Sequence, residues 1–304
     1  MTKMIVILGP TATGKTRLAV TIADLLNGEI ISADSRQIYC GMDIGTGKEL
    51  DEYFINDRAI PYHLIDILNP SLNYSVYQFQ QDFHSAFNSI TKIKKMPILC
   101  GGTGLYIESV LLDYQMPEVV PDDDLRNRLK QETHSSLIEK LKSLNPRLHN
   151  LTDLSTKKRT IRGIEIAMAE KIEKGKQRTE NEKRVNYCVM GINPGREIVK
   201  KRITERLKFR MENGMIEETE KLIDGGLPLE RLNYFGLEYK FIGKYLSGEL
   251  NQNDMFQKLN SAIHRFAKRQ MTFFRRMEKR GIKINWLENP DSQQALDIIH
   301  QYSE

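Results

Sequence analysis

Two kinds of hydrophobic pattern take turns along this chain. Met4 to Leu8 is a continuous apolar run, short enough for a buried strand, and it gives way to helical spacing at Leu18, Ile22, Leu25 and Leu26. Glu29 to Ser32 reads as a second strand, Tyr62 to Ile67 as a third and Pro97 to Cys100 as a short buried fourth. Between the last two, Val76, Phe79, Phe83, Phe87, Ile90 and Ile93 recur at helical spacing over Ser75 to Lys94, with Ser75 and Gln78 placed for a capping box. The character then changes from Tyr114 to about Tyr187. Pro117 and Pro121 break the pattern, and charged helical segments follow, packed through Leu125, Leu129, Leu137, Ile138, Leu141 and Leu144. Strand character returns at Tyr187 to Ile192, and a long helix near the end carries an apolar stripe of Leu259, Ile263, Phe266, Phe273 and Met277. The pattern predicts an α/β core over 1–113 and 187–304 with C-terminal helices, and a helical insertion over 114–186.

Chemistry enters at the first strand-to-helix junction. Gly9, Pro10, Thr11, Ala12, Thr13, Gly14, Lys15 and Thr16 fit the phosphate-binding pattern G-x-x-x-x-G-K-S/T, with a strand before and a helix after. Glycines let the backbone aim several N–H groups inward, the helix N-terminus adds partial positive charge, and Lys15 adds a full one. Thr16 would offer its hydroxyl to a Mg²⁺ bridging two phosphates. Amides and an ammonium bind a diphosphate whatever it carries, so the loop specifies a diphosphate rather than ATP.

The remaining strand ends gather around that loop. The second strand delivers Asp34, Ser35, Arg36 and Gln37 to the edge where open α/β sheets bind ligands, so Asp34 should face the same crevice as Lys15. The third ends beside Asp66, so Asp34 and Asp66 are both candidates for a metal-side carboxylate. The fourth ends in Gly101-Gly102-Thr103-Gly104, which either presents Thr103 to a ligand or is a plain tight turn. Arg196, Arg202, Arg206 and Arg210 recur on one long helix, and most of them read as a solvated face.

Composition narrows the class. With 304 residues and 40% hydrophobic content, the chain suits one large domain plus a smaller one. Its apolar runs are too short to span a bilayer and the N-terminus enters a strand directly, so no membrane association and a cytoplasmic location are expected. Cys40, Cys100 and Cys188 show no C-x-x-C spacing, which argues for buried thiols rather than disulfides or zinc. Charge is unevenly placed: Phe256 to Lys283 carries nine basic residues against Glu278 alone, a net of +8. Arg265, Lys268, Arg269, Thr272 and Arg276 form a stripe beside the apolar one, which suits a polyanionic partner.

Taken in order, GPTATGKT, ADSRQIYCGMDIGTGK, GGTGLY, KKRTIRGIEI and RFAKRQMTFFRR closely resemble the motifs of the tRNA dimethylallyltransferase family, also called tRNA isopentenyltransferase. The resemblance runs from about Met4 to Met277. It implies a core related to phosphate-loop kinases with a helical insertion, and transfer of a dimethylallyl group from dimethylallyl diphosphate to the exocyclic N6 amine of the adenosine 3′ of the anticodon, in tRNAs reading codons that begin with U. The family's diphosphate loop falls on Gly9 to Thr16, its catalytic aspartate on Asp34, its active-site threonine on Thr103 and a diphosphate-facing arginine on Arg206. Residues touching tRNA fall on Asp34, Ser35, Arg36 and Gln37, on Arg126, on Lys158, Arg159, Thr160, Ile161 and Arg162, and on His264 to Met271, which takes in Arg265, Lys268 and Arg269. Where the family has Gly-Tyr followed by a basic residue, this chain has Gly236-Leu237-Glu238, an acid that is unfavourable beside RNA phosphate.

The expected chemistry is prenyl transfer by a Mg²⁺-dependent monomer acting on tRNA and dimethylallyl diphosphate. Loop amides, Lys15, Mg²⁺ on Thr16 and Arg206 would take up the charge of the departing diphosphate. Asp34 would accept the amine proton, or else serve as a structural or metal-ordering carboxylate; Thr103 would orient the amine or the base, or else stabilise its turn. The alternative is a phosphate-loop small-molecule kinase using ATP, which leaves the +8 segment and the basic cluster Lys157 to Arg162 without a purpose.

Overall fold

The computed structural model of the chain describes residues 3–114, 116, 119, 122–145, 154–173 and 186–302. The chain divides into two compact units: Met1–Tyr114 with Arg184–Glu304, and Gln115–Lys183.

The larger unit is built on a parallel sheet. Strands β1 (Lys3–Leu8), β2 (Gly28–Ser32), β5 (Tyr62–His63), β6 (Met96–Gly101), β7 (Asn186–Ile192) and β8 (Asn285–Leu287) lie in the order β5-β2-β6-β1-β7-β8. A two-stranded antiparallel pair, β3 (Phe54–Ile55) and β4 (Arg58–Ala59), stands apart. Along β1, Met4, Val6 and Leu8 join one core cluster while Ile5 and Ile7 join the other. Both faces of the sheet are therefore covered, which is why β1 reads as a continuous apolar run rather than an alternating one.

One face is covered by α2 (Val76–Lys92), through Phe79, Phe83 and Phe87, and by Phe274 and Met277 of α10 (Gln252–Lys279). The other is covered by α1 (Lys15–Leu25) and α11 (Ser292–Gln301). Ser75 caps α2 as its sequence expects: the side chain accepts from the Gln78 amide at 3.2 Å and the Gln78 side chain accepts from the Ser75 amide at 2.9 Å. Because β6 sits between β1 and β2, the chain reverses direction across the sheet at β1, and the C-terminal ends of β1, β2 and β6 open onto one crevice.

The third expected strand is shorter than its apolar run. It stops at His63 because Leu64 (φ 62) and Asp66 (φ 55) adopt left-handed backbone that no strand accommodates. A third packed cluster joins α7 (Arg196–Glu212), α9 (Leu237–Leu246) and the first half of α10, through Ile203, Leu207, Ile242 and Leu259.

The smaller unit contains α4 (Asp123–Gln131), α5 (His134–Leu144) and α6 (Lys157–Glu173), and no strand among its described residues. Leu129, Leu137, Leu141, Ile161 and Ile164 form its core. Among the described residues no helix is long and apolar enough to cross a membrane.

Candidate active site

The phosphate loop follows β1 and is bent by its own backbone. Ala12 (φ 64) and Gly14 (φ 84) take left-handed conformations, and the buried Thr13 hydroxyl donates to the Pro10 carbonyl at 2.9 Å. Gly14 caps α1, so Lys15 opens the helix with its amine in the crevice. Burial lowers the Lys15 pKa, Arg206 adds to the effect, and Cys100, Asp34 and Glu49 oppose it. Cys100 lies beneath the loop, 3.7 Å from the Lys15 carbonyl, with its thiol pushed up to about 12 by burial. It and Cys188 are the buried thiols the sequence suggested; Cys40 is exposed.

Hydrogen bonds between the ends of β2 and β6 bring Asp34 and Thr103 together. The Ala33 amide donates to the Cys100 carbonyl at 2.7 Å, and the Thr103 amide donates to the Ala33 carbonyl at 3.1 Å. The Thr103 hydroxyl accepts from the Ser35 amide at 3.0 Å, and Asp34 Oδ1 accepts from the Arg36 amide at 2.9 Å. Thr103 thus fixes the turn that carries Asp34. Gln37 is turned into the protein, contacting the Ser32 hydroxyl at 3.1 Å and donating to the Gly47 carbonyl at 2.9 Å.

Two of the four regularly spaced arginines of α7 are not solvated. Arg206 donates to the Thr11 hydroxyl of the phosphate loop, and burial, aided by Arg210, brings its pKa down to about 10. Arg210 is buried and donates to Glu49 at 2.7 Å. Burial alone would raise the Glu49 pKa, but Arg206 and Arg210 hold it below the ordinary carboxylate value. The sequence gives Glu49 no role and sets Arg210 among arginines read mostly as a solvated face, because the two lie 161 residues apart and meet only in the fold. Asp66, a candidate metal-side acid, instead pairs with the fully buried Lys48, whose amine also bonds Asp43 at 2.6 Å and the Tyr39 carbonyl at 2.8 Å. Its place at the end of the third apolar run misled because the strand stops three residues earlier.

Lys15, Asp34, Thr103 and Arg206 line one cleft of about 460 Å³. Leu105, Phe266 and Phe273 form an apolar wall of the same cleft. Phe266, expected in the core, is 39% exposed because the apolar stripe of α10 turns past the sheet and continues into the cleft; Phe274 fills the core position. Glu238 also lines the cleft, half-buried, with burial pushing its carboxyl above the ordinary value against the pull of Arg210 and Arg206. The acid that departs from the family pattern therefore faces arginines.

Along α10, Arg265, Lys268 and Arg269 are exposed. Arg276, in the same basic stripe, is not free for phosphate: it pairs with the fully buried Glu108 at 2.9 Å, and its guanidinium lies 4.1 Å from the centre of the Phe273 ring. His264 faces Thr204 and the Lys200 carbonyl, both at 3.3 Å. Gln270, inside the stretch that resemblance sets against tRNA, is 8% exposed and points inward.

In the smaller unit, Arg126 forks onto the buried Glu165 at 2.8 and 2.9 Å, and Arg162 reaches the same carboxylate at 3.1 Å and the Val119 carbonyl at 2.9 Å. Thr160 is buried, donating to the Thr156 carbonyl, and Ile161 fills the core. Of the stretch that resemblance gives to tRNA, this leaves Lys158 and Arg159 as the exposed cations of α6's first turns.

Thr16 follows Lys15 in the first turn of α1. Among the described residues no cluster of three or more His, Cys, Asp or Glu could hold a metal. A divalent cation here would take most of its ligands from phosphate oxygens and water, with Thr16 as its protein hydroxyl. That donor set fits Mg²⁺, which keeps several waters and binds along with substrate phosphates.

Residues 37–277 match the family model described as IPP transferase. The chain is 51% identical to a tRNA dimethylallyltransferase 1 of Geotalea daltonii, over 99% of this chain and 96% of that relative. It is 50% identical to a tRNA dimethylallyltransferase 2 of Porphyromonas gingivalis, over 98% of this chain and 99% of the relative. Among solved structures it resembles a full-length tRNA isopentenylpyrophosphate transferase of Bacillus halodurans, with a TM-score of 0.68, 30% identity and coverage of 100% of this chain and 95% of that one. It shares its fold with a eukaryotic dimethylallyltransferase acting on tRNA, at a TM-score of 0.76 and 20% identity, over 100% of this chain and 80% of that one.

Proposed function

The chain belongs to the IPP transferase family, and from that premise we propose that it transfers the dimethylallyl group of dimethylallyl diphosphate to the N6 amine of the adenosine 3′ of the anticodon, in tRNAs reading codons that begin with U. One observation carries the reading: the amine of Lys15, in the phosphate-loop pattern, and the carboxylate of Asp34 line a cleft whose wall is α10, the helix that exposes Arg265, Lys268 and Arg269.

In the reaction a C–N bond forms between the amine and the first carbon of the allyl group while that carbon's bond to diphosphate oxygen breaks. The loop amides and Lys15 hold the diphosphate, and Arg206, anchored on Thr11, meets the charge that builds on it. Thr16 would hold a Mg²⁺, which would supply charge neutralisation to the same diphosphate when bound. The apolar wall of Leu105, Phe266 and Phe273 suits a five-carbon chain. Asp34 takes the proton from the amine as nitrogen becomes positive, at which stage a carboxylate can accept it. Thr103, holding the Ser35 amide, keeps that carboxylate in place.

The adenine must leave its stack to reach the cleft, and phosphate contacts along α10 and on Lys158 and Arg159 offset the unstacking. A small-molecule kinase would use the same loop but leave the exposed cations of α10 idle, and the family does not favour it. Incubation with labelled dimethylallyl diphosphate and unmodified tRNA, alongside ATP and small hydroxyl acceptors, separates the two: label is expected in tRNA and no phosphoryl transfer from ATP.

A further inference from the structure

Gln270 makes two hydrogen bonds that span the chain. Its side-chain oxygen accepts from the Thr11 amide at 3.0 Å, 259 residues away, and its side-chain nitrogen donates to the Gly102 carbonyl at 2.9 Å, 168 residues away. Thr11 is the third residue of the phosphate loop, and Gly102 precedes Thr103, which holds the turn of Asp34. The fit is close: a Cβ on Gly102 would stand 2.5 Å from the Gln270 nitrogen. A buried primary amide is rare in an otherwise apolar helix face, where Ala267 and Phe274 flank it, and it is retained only if both its donor and its acceptor are satisfied. Here both are, and each by backbone of a different active-site segment.

The same helix exposes Lys268 and Arg269, two and one residues earlier. Gln270 thus stands where the nucleic-acid face of α10, the donor loop and the acceptor turn meet. We infer that Gln270 is a positioning residue that couples the two substrates, so that filling the phosphate loop strengthens tRNA binding on α10 and the reverse. Binding diphosphate fixes the loop, Gln270 passes that constraint to α10 and to the Gly102–Thr103 turn, and tRNA then meets a helix and a turn already ordered. Coupling of this kind is reciprocal. The inference rests on the proposed tRNA and diphosphate substrates.

The test measures tRNA affinity with and without saturating inorganic pyrophosphate and Mg²⁺, for the wild type, Gln270→Met and Gln270→Asn, with melting temperatures on the same samples. Met keeps the length but neither hydrogen bond; Asn keeps the amide but is one methylene too short to reach both partners. The wild type is expected to bind tRNA roughly fivefold or more tightly with pyrophosphate present, the usual scale of coupling between sites. In either variant the ratio should fall to about one. A purely structural role would lower the melting temperature and weaken both ligands while leaving the ratio as in the wild type, and that result overturns the inference. So does a wild-type ratio of one. Failure of the wild type to bind tRNA or pyrophosphate at all would instead remove the proposed function, and this inference with it.

Discussion

Arg210 and Arg206 share one oxygen of Glu49, at 2.7 and 3.8 Å. Glu49 reaches them from a left-handed backbone conformation (φ 47), a strain of about 1–3 kcal/mol that the ion pairs offset. Its negative charge lies beside the arginine that the diphosphate must engage. Glu49→Gln is therefore expected to tighten inorganic pyrophosphate binding by roughly fivefold, or about 1 kcal/mol, the scale for partly screened charges a few ångströms apart. Titration calorimetry checks it, and weaker binding would mean that Glu49 aims Arg206 rather than competing with the ligand.

Lys15→Ala should weaken pyrophosphate binding and slow turnover as well, because the charge it meets is larger on departing diphosphate than on the bound ester. Steady-state kinetics in dimethylallyl diphosphate separates the two effects. Unchanged kinetics would place the donor elsewhere.

The cations of α10 divide into two groups with different consequences. Lys268→Ala with Arg269→Ala should reduce affinity for all tRNAs alike and flatten the salt dependence of binding by about two ions, one per phosphate contact. Arg276→Ala should leave that slope unchanged and lower stability by roughly 1–3 kcal/mol, since the buried Glu108 loses a charged hydrogen bond and keeps Arg280 at 3.3 Å and the Tyr114 hydroxyl. Salt titrations and melting curves on the same preparations distinguish them.

Glu165 ties the smaller unit together and gives it a pH dependence. Burial raises its pKa, but Arg126, the Asp122 amide and Arg162 together bring it below the ordinary 4.5. A carboxyl with a depressed folded pKa contributes stability above its unfolded value and loses it as pH falls through the folded one. The protection of α4 and α6 amides, relative to their intrinsic exchange rate at each pH, should therefore fall as the pH drops below about 4.5, and in Glu165→Gln it should be lower at neutral pH with little further acid response. An acid response unchanged in Glu165→Gln would assign it to another group.

The parts of this site legible in the sequence are those whose cause is local. The phosphate loop is a strand followed by an eight-residue motif whose last two residues open a helix, and Asp34 and Thr103 stand at strand ends, where α/β sheets bind ligands. What escaped depends on contacts across 160 residues or more: Glu49 with Arg210, and Gln270 with Thr11. Periodicity also gives a helix face but not what the face meets. The apolar stripe of α10 takes in Phe266 and Phe273, yet both line the cleft while Phe274, outside that stripe, joins the core, and the basic stripe does not reveal that Arg276 is claimed by Glu108. Asp66 illustrates a third limit, since an apolar run shows strand propensity but not the left-handed residue that ends the strand.

The role of Asp34 as the base is the centre of this account, and single-turnover transfer tests it most directly. With tRNA and dimethylallyl diphosphate both saturating, Asp34→Ala should bind each within a few-fold of the wild type and transfer the dimethylallyl group roughly 100-fold or more slowly, the scale of a lost general base. A rate that hardly changes, with a sharply raised Mg²⁺ requirement, would contradict it and make Asp34 a metal ligand instead.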